Sequence, residues 1–227
     1  MSAQTHPQLS FSIMISLSFH RMNSKDWIVT DDGHCESRPA SREWDLIRDK
    51  YYFHEFLTEI INLLRNISNE ADEWDYLPQI RMRVRQLVIN SYWLHTQYPE
   101  PSPKTGMATR TLYNEIGYPL TVQTATFAPN ISSNVHNHGT WGVVAVLKGQ
   151  EKHTFWRRVD DPQFPNKIEM VGEKILKAGE IISFTPHAIH QVTAIGNEPA
   201  FSFTMYGDPL PRSRFIFDTT KHTAKPF

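Results

Sequence analysis

The sequence predicts a mainly β protein, a barrel with an N-terminal α-helical region, and three observations carry that reading. From about residue 108 onward, short β-rich runs such as "LTVQTATFAP", "WGVVAVLKG", "KHTFWRRV", "KIEMVGEKIL", "EIISFTP" and "AFSFTMYG" alternate with turn residues. Strands at that spacing form a sandwich or barrel. Upstream of them, apolar residues recur three and four apart, which is helix periodicity. The length, 227 residues, suits one barrel with a helical addition.

In chain order, residues 1–38 show no sustained periodicity and are expected to be irregular. The stretch "FSIMISLSF" at 11–19 is apolar, yet it is shorter than the roughly 18 residues a bilayer span needs, no positive charge precedes it and no cleavage site clearly follows. Met14 or Met22 is an alternative start of translation. Residues 39–103 are read as helices packing on the barrel. Trp44, Ile47, Tyr51, Phe53, Phe56, Leu57, Ile60 and Leu64 form one stripe. After "NEADEWDYLP", Ile80, Val84, Leu87 and Val88 form a second. Pro99, Pro101 and Pro103 then mark a boundary, because proline removes a backbone donor and disfavours helix geometry in the residue before it. Residues 104–227 make the barrel and a C-terminal tail. Gly149 and Gly179 fall where tight turns are needed, and "DDPQFPN" reads as a hairpin loop.

Composition narrows the function. Lys and Arg total 23 against 24 Asp and Glu, without the basic excess that phosphate neutralisation favours, so no nucleic-acid partner is expected. No membrane partner is expected either, since no apolar run is long enough. The single cysteine, Cys35, excludes an intramolecular disulfide framework and fits a reducing cytoplasm. A small-molecule substrate and a monomer or homodimer are the remaining expectations.

The chemistry lies in "NVHNHGTWGVV" at 134–144, where His136 and His138 are one residue apart. Eleven histidines give about half of one such pair by chance, so context must carry the claim. Along a strand, side chains at i and i+2 share a face, and the apolar run that follows points that face to a barrel interior. Two imidazoles in an apolar interior are costly unless protons or a metal organise them. The segment "SFTPHAIHQV" offers a third nitrogen from His187 or His190, of which His190 is chosen. The alternative is a set of ordinary surface or hydrogen-bonded core histidines. His6, His20, His34, His54, His95, His153 and His222 lack comparable context and are read as unremarkable. Three neutral imidazoles would leave a divalent cation's charge uncompensated, which favours an anionic ligand and a catalytic over a closed structural site.

These residues resemble the cupin superfamily, whose fold is a double-stranded β-helix or jelly-roll, and more closely the cysteine dioxygenase-like thiol dioxygenases. "HNHGTWGVVAVLKG" is similar to the first cupin motif, with Gly142 or Val143 where a glutamate ligand would stand; thiol dioxygenases show the same loss. "GEIISFTPHAIHQV" is similar to the second motif and puts His190 at the third ligand position. The resemblance implies that Arg110 in "ATRTLY" grips a substrate carboxylate, as a planar guanidinium does bidentately. It also implies that "NEPAFSFTMYGDPL" carries a serine-histidine-tyrosine group as Ser202, Thr204 and Tyr206, with Tyr206 hydrogen bonding to substrate or dioxygen. Thr204 replaces the family histidine, Ala108 replaces a tyrosine found in some relatives, and no cysteine is near enough for a thioether cross-link. Trp141 and Trp156 are candidates to line the pocket, although aromatic residues on barrel strands are more often simply core.

The implied function is a dioxygenase holding Fe(II) on His136, His138 and His190 and using dioxygen as co-substrate to convert a small thiol to a sulfinate. Two rivals remain. One is a cupin cleaving a carbon-carbon bond of a chelating enolate such as a β-diketone, and the other is a metal-binding cupin without turnover.

Overall fold

The computed structural model describes residues 26–40, 46–47, 50–67, 72–118, 120–208 and 212–226. The stretch "FSIMISLSF", Met14, Met22 and Trp44 lie outside the described residues. In chain order the elements are β1 (Asp26–Val29), β2 (Cys35–Arg38), α1 (Phe53–Asn66), α2 (Glu73–Asn90), α3 (Tyr92–His95), β3 (Met107–Asn114), β4 (Leu120–Phe127), β5 (Val135–His136), β6 (Gly142–Lys148), β7 (Gln150–Arg158), β8 (Ile168–Lys177), β9 (Ile181–Phe184), β10 (Ile189–Ile195), β11 (Ala200–Gly207), β12 (Phe215–Asp218) and β13 (Thr223–Pro226). They form a seven-stranded sheet in the order β2-β1-β9-β6-β11-β4-β3 and a six-stranded sheet in the order β13-β12-β5-β10-β7-β8. This is the double-stranded β-helix architecture with N-terminal helices.

Strand β6, at the centre of the seven-stranded sheet, is apolar on both faces, which is why its sequence is an unbroken hydrophobic run. Val143 and Ala145 point outward into a cluster with Phe56 and Ile60 of α1 and Ile80, Val84 and Leu87 of α2. Val144 and Val146 point inward, into a cluster with Phe155, Leu176, Ile182 and Phe184. The helices therefore cover one face of this sheet and leave the other to line the barrel. Among the described residues no helix is long and apolar enough to cross a membrane.

Three sequence expectations are corrected. Part of the segment read as irregular is ordered: β1 pairs antiparallel with β2 and parallel with β9. The signal was a short apolar run, "WIV", before the turn "DDG", in which Gly33 takes φ +77°. Helix α1 starts at Phe53, after an extended Tyr52, so Ile47 lies outside it and is 61% exposed. The second helix starts earlier than expected. Asp72 caps it, accepting from the Trp74 N–H, and Pro78 sits inside rather than before it.

Other features match their expectations. Gly149 and Gly179 adopt positive φ at turns. The loop between β7 and β8 is organised by Asp161, whose carboxylate accepts from the Gln163 and Phe164 N–H groups and from Lys167 Nζ.

Candidate metal centre

His136 ends β5, and His190 on β10 is its direct cross-strand neighbour. The chain does not run straight from the histidine pair into the next strand, as its sequence suggests. Between His136 and Gly142 it crosses from the six-stranded to the seven-stranded sheet, and Gly139 makes the bend at φ +66°. A Cβ there would also come within 2.9 Å of the Ser213 backbone, so this position needs glycine twice over. His138 lies on the crossing and folds back over the interior, where its ring stacks on Tyr206 with centroids 4.4 Å apart.

The outcome is a cluster in which one ring nitrogen each of His136, His138 and His190 lies within 4.8 Å of the others. His138 Nε2 and His190 Nε2 are 2.9 Å apart. Two nitrogens each about 2.1 Å from one cation and at right angles to each other are separated by about 3.0 Å, so this spacing suits a shared metal ion. The His136 Nδ1–H donates to the Asn134 carbonyl at 2.9 Å, which leaves Nε2 as the lone-pair nitrogen. His187, the rejected alternative, is exposed in the turn before β10.

Electrostatics keep all three rings neutral and ready to ligate. Burial pushes His136 down to about 4, helped by the nearby Arg214 and His153 and opposed by the Asn134 carbonyl. Burial, then the neighbouring histidines and, for His138, Arg214, also takes His138 and His190 well below the usual imidazole range. A basic group with a depressed folded-state pKa binds fewer protons folded than unfolded, so stability falls as pH falls through the interval between the two values. The metal-free protein is accordingly expected to lose thermal stability steeply between about pH 6.5 and about pH 4. A melting temperature flat across that window would contradict neutral buried histidines.

The histidines sit in the lining of a cavity of about 180 Å³, together with Gln123, Ser202, Thr204, Tyr206, Arg214 and Glu151 among others. Burial pushes the Tyr206 hydroxyl up, so it stays protonated, with Thr204, Arg214 and Gln123 acting in the opposite direction. Thr204, two residues before Tyr206 on β11, lines the same cavity, and its hydroxyl donates to the Gln123 carbonyl at 3.3 Å.

Arg110 does not reach this cavity. On β3, Met107 and Thr109 line it, whereas Arg110 pairs with Thr124 on the opposite face and donates to Gln97 Oε1 at 3.2 Å, exposed beside the helical layer. The cation that does line it is Arg214, which sequence reasoning missed. Asn137 holds the segment in place from both sides of Arg214: its side-chain amide donates to the Ser213 carbonyl at 2.7 Å and its Oδ1 accepts from the Phe215 N–H at 2.8 Å. Trp141 and Trp156 are not in the cavity lining either. Trp141 packs edge-on against Tyr76 under α2, and Trp156 joins Val135, Ile168, Ile189 and Phe217 in a separate cluster. Beside Trp156 the inward position belongs to Phe155. His153, read as unremarkable, is fully buried inside the barrel, coplanar with His190 within 13° and bonded through Nε2 to the equally buried Glu151.

No family model matches the chain. Among solved structures, oxalate oxidase in complex with the substrate analogue glycolate is similar at 18% identity over 55% of this chain, with a TM-score of 0.40; the match spans 61% of that protein's length. A cupin superfamily protein from Desulfitobacterium hafniense matches at 14% identity over 45% of this chain and 77% of its own, with a TM-score of 0.35. A double-stranded β-helix protein from Klebsiella pneumoniae matches at 17% identity over 49% of this chain and 80% of its own, with a TM-score of 0.39. Each of these matches covers only about half of this chain.

Proposed function

We propose that the chain is a cupin metalloenzyme that holds a divalent cation on His136, His138 and His190 and oxidises the sulfur of a small thiol with dioxygen, giving a sulfinate. The observation that carries this reading is the convergence of three neutral imidazole nitrogens on a cavity that also receives a guanidinium. Imidazole nitrogens suit iron, zinc, copper and nickel, and iron bound there would supply the redox chemistry that dioxygen requires.

The rest falls to the protein. With no carboxylate among the three histidines, the site favours a ligand that brings its own negative charge, and a thiolate does so. Arg214, positioned by Asn137, takes the role first assigned to Arg110 and binds a carboxylate on the same ligand. Tyr206, fixed by its stack on His138, keeps its proton and donates a hydrogen bond into the cavity. Val144, Val192, Ala125 and Phe127 give the remaining walls an apolar surface that limits water.

The test is oxygen uptake by iron-loaded protein with cysteine, 3-mercaptopropionate, cysteamine and a β-diketone offered separately, with products identified by mass. Uptake with a thiol and a product heavier by two oxygen atoms is the expected result. Uptake with the diketone alone would move the reading to carbon-carbon cleavage, and no uptake with metal bound would leave a non-catalytic cupin.

A further inference from the structure

The cavity lining includes a carboxylate with an unmet demand. Glu151 is fully buried on β7 and lines the same cavity as the three histidines. Its Oε2 accepts from His153 Nε2 at 3.1 Å, while its Oε1 is buried without a hydrogen-bond partner. A carboxylate oxygen taken out of water and left unbonded is costly, and such an atom in a ligand cavity marks a place where a donor is expected.

Strand register fixes where that place is. His190 lies opposite Phe155, Val192 opposite His153 and Ala194 opposite Glu151, so three inward-facing rungs run from the histidine cluster to Glu151. At about 3.3 Å per residue, the first and third rungs are roughly 13 Å apart along the strand. Glu151 leans back toward the middle rung to meet His153. Ser202, also buried, lines the cavity too and adds a second polar group. The cavity is thus polar at both ends, with Val144 and Val192 among the residues between.

Resting on the reading of this cavity as the substrate site, we propose that the ligand carries an ammonium group at the end away from its metal-binding atom, and that Glu151 Oε1 receives it. Glu151 is then a specificity-determining residue. An ammonium supplies the missing donor and compensates the buried negative charge, whereas a hydroxyl would supply only the donor. The substrate class this selects is an elongated aminothiol rather than a simple alkyl thiol.

The test compares 4-aminobutane-1-thiol with butane-1-thiol, which differ only in the amine, by titrating cobalt-loaded full-length protein and following the metal's absorption bands under anaerobic conditions. The aminothiol is expected to bind at least tenfold more tightly, and Glu151→Gln is expected to remove that preference while leaving butane-1-thiol unchanged. Equal affinities in the wild-type protein would overturn the proposal without any variant, as would a preference that survives Glu151→Gln. A second arm is independent of thiol binding at the metal. Butylamine and butan-1-ol are titrated into metal-free protein by calorimetry, and preference for the amine, lost in Glu151→Gln, is expected. If no thiol perturbs the metal yet the amine preference stands, the thiol reading fails and the ammonium site survives. Failure of the amine preference in the second arm overturns the ammonium site.

Discussion

Asp26→Ala is expected to destabilise the protein by about 3–5 kcal/mol, the usual consequence of removing one member of a buried ion pair. Asp26 opens β1 and is 4% exposed, and Arg81 and Arg85 of α2 are each 3% exposed. Arg85 Nη2 contacts Asp26 Oδ1, and Arg81 Nε lies 3.4 Å from Oδ2. The same two guanidiniums reach across to the sheet, Arg81 donating to Ser183 Oγ at 2.8 Å and Arg85 to the Gly179 carbonyl at 3.0 Å. One carboxylate therefore compensates two buried cations and ties β1, β9 and α2 together. Without it both charges stay buried with only neutral hydrogen-bond partners among the described residues. In thermal unfolding the loss should read as a drop of roughly 10 °C in Tm, given about 2–4 °C per kcal/mol for a chain this size. A drop under about 2 °C would show that the cluster contributes little.

Arg214→Ala is expected to weaken binding of a carboxylated ligand by about 2–5 kcal/mol, or roughly thirtyfold to several-thousandfold, because a desolvated charge pair loses one partner. Arg110→Ala is expected to leave that binding almost unchanged, since its side chain lies on the far face of β3 with Gln97. Titrating 3-mercaptopropionate into metal-loaded wild-type and variant proteins checks both at once. The reverse outcome would mean that β3 presents its other face to the ligand, and would return the anchoring role to Arg110.

That contrast shows what the sequence made legible. The β-rich runs and the His136, His138 and His190 set were readable because each depends on local pattern: alternation along a strand and two short motifs. Arg110 misled because "ATRTLY" has polar residues at successive positions, so no hydrophobic alternation reveals which face is inside, and a shift of one residue exchanges the faces. Arg214 was hidden for a different reason. Its place over the site depends on Asn137, more than 70 residues earlier in the chain, and no local pattern reports such a contact. The Glu151 and His153 pair was disguised by Lys152 between them, since "GQEKHTF" reads as a charged turn into a strand. Burial of its alternate residues follows only once β7 is known to line the barrel. The strand β1 and its turn had a usable signal that the surrounding irregular composition obscured.

The central claim is that His136, His138 and His190 together hold a metal ion, and metal content measured by mass spectrometry on purified, metal-loaded protein tests it most directly. Wild-type protein should carry close to one divalent ion per chain, and His136→Ala/His138→Ala and His190→Ala proteins of wild-type fold, checked by circular dichroism, should retain less than about a tenth of it. Full metal content in either folded variant would place the ion elsewhere and contradict the account.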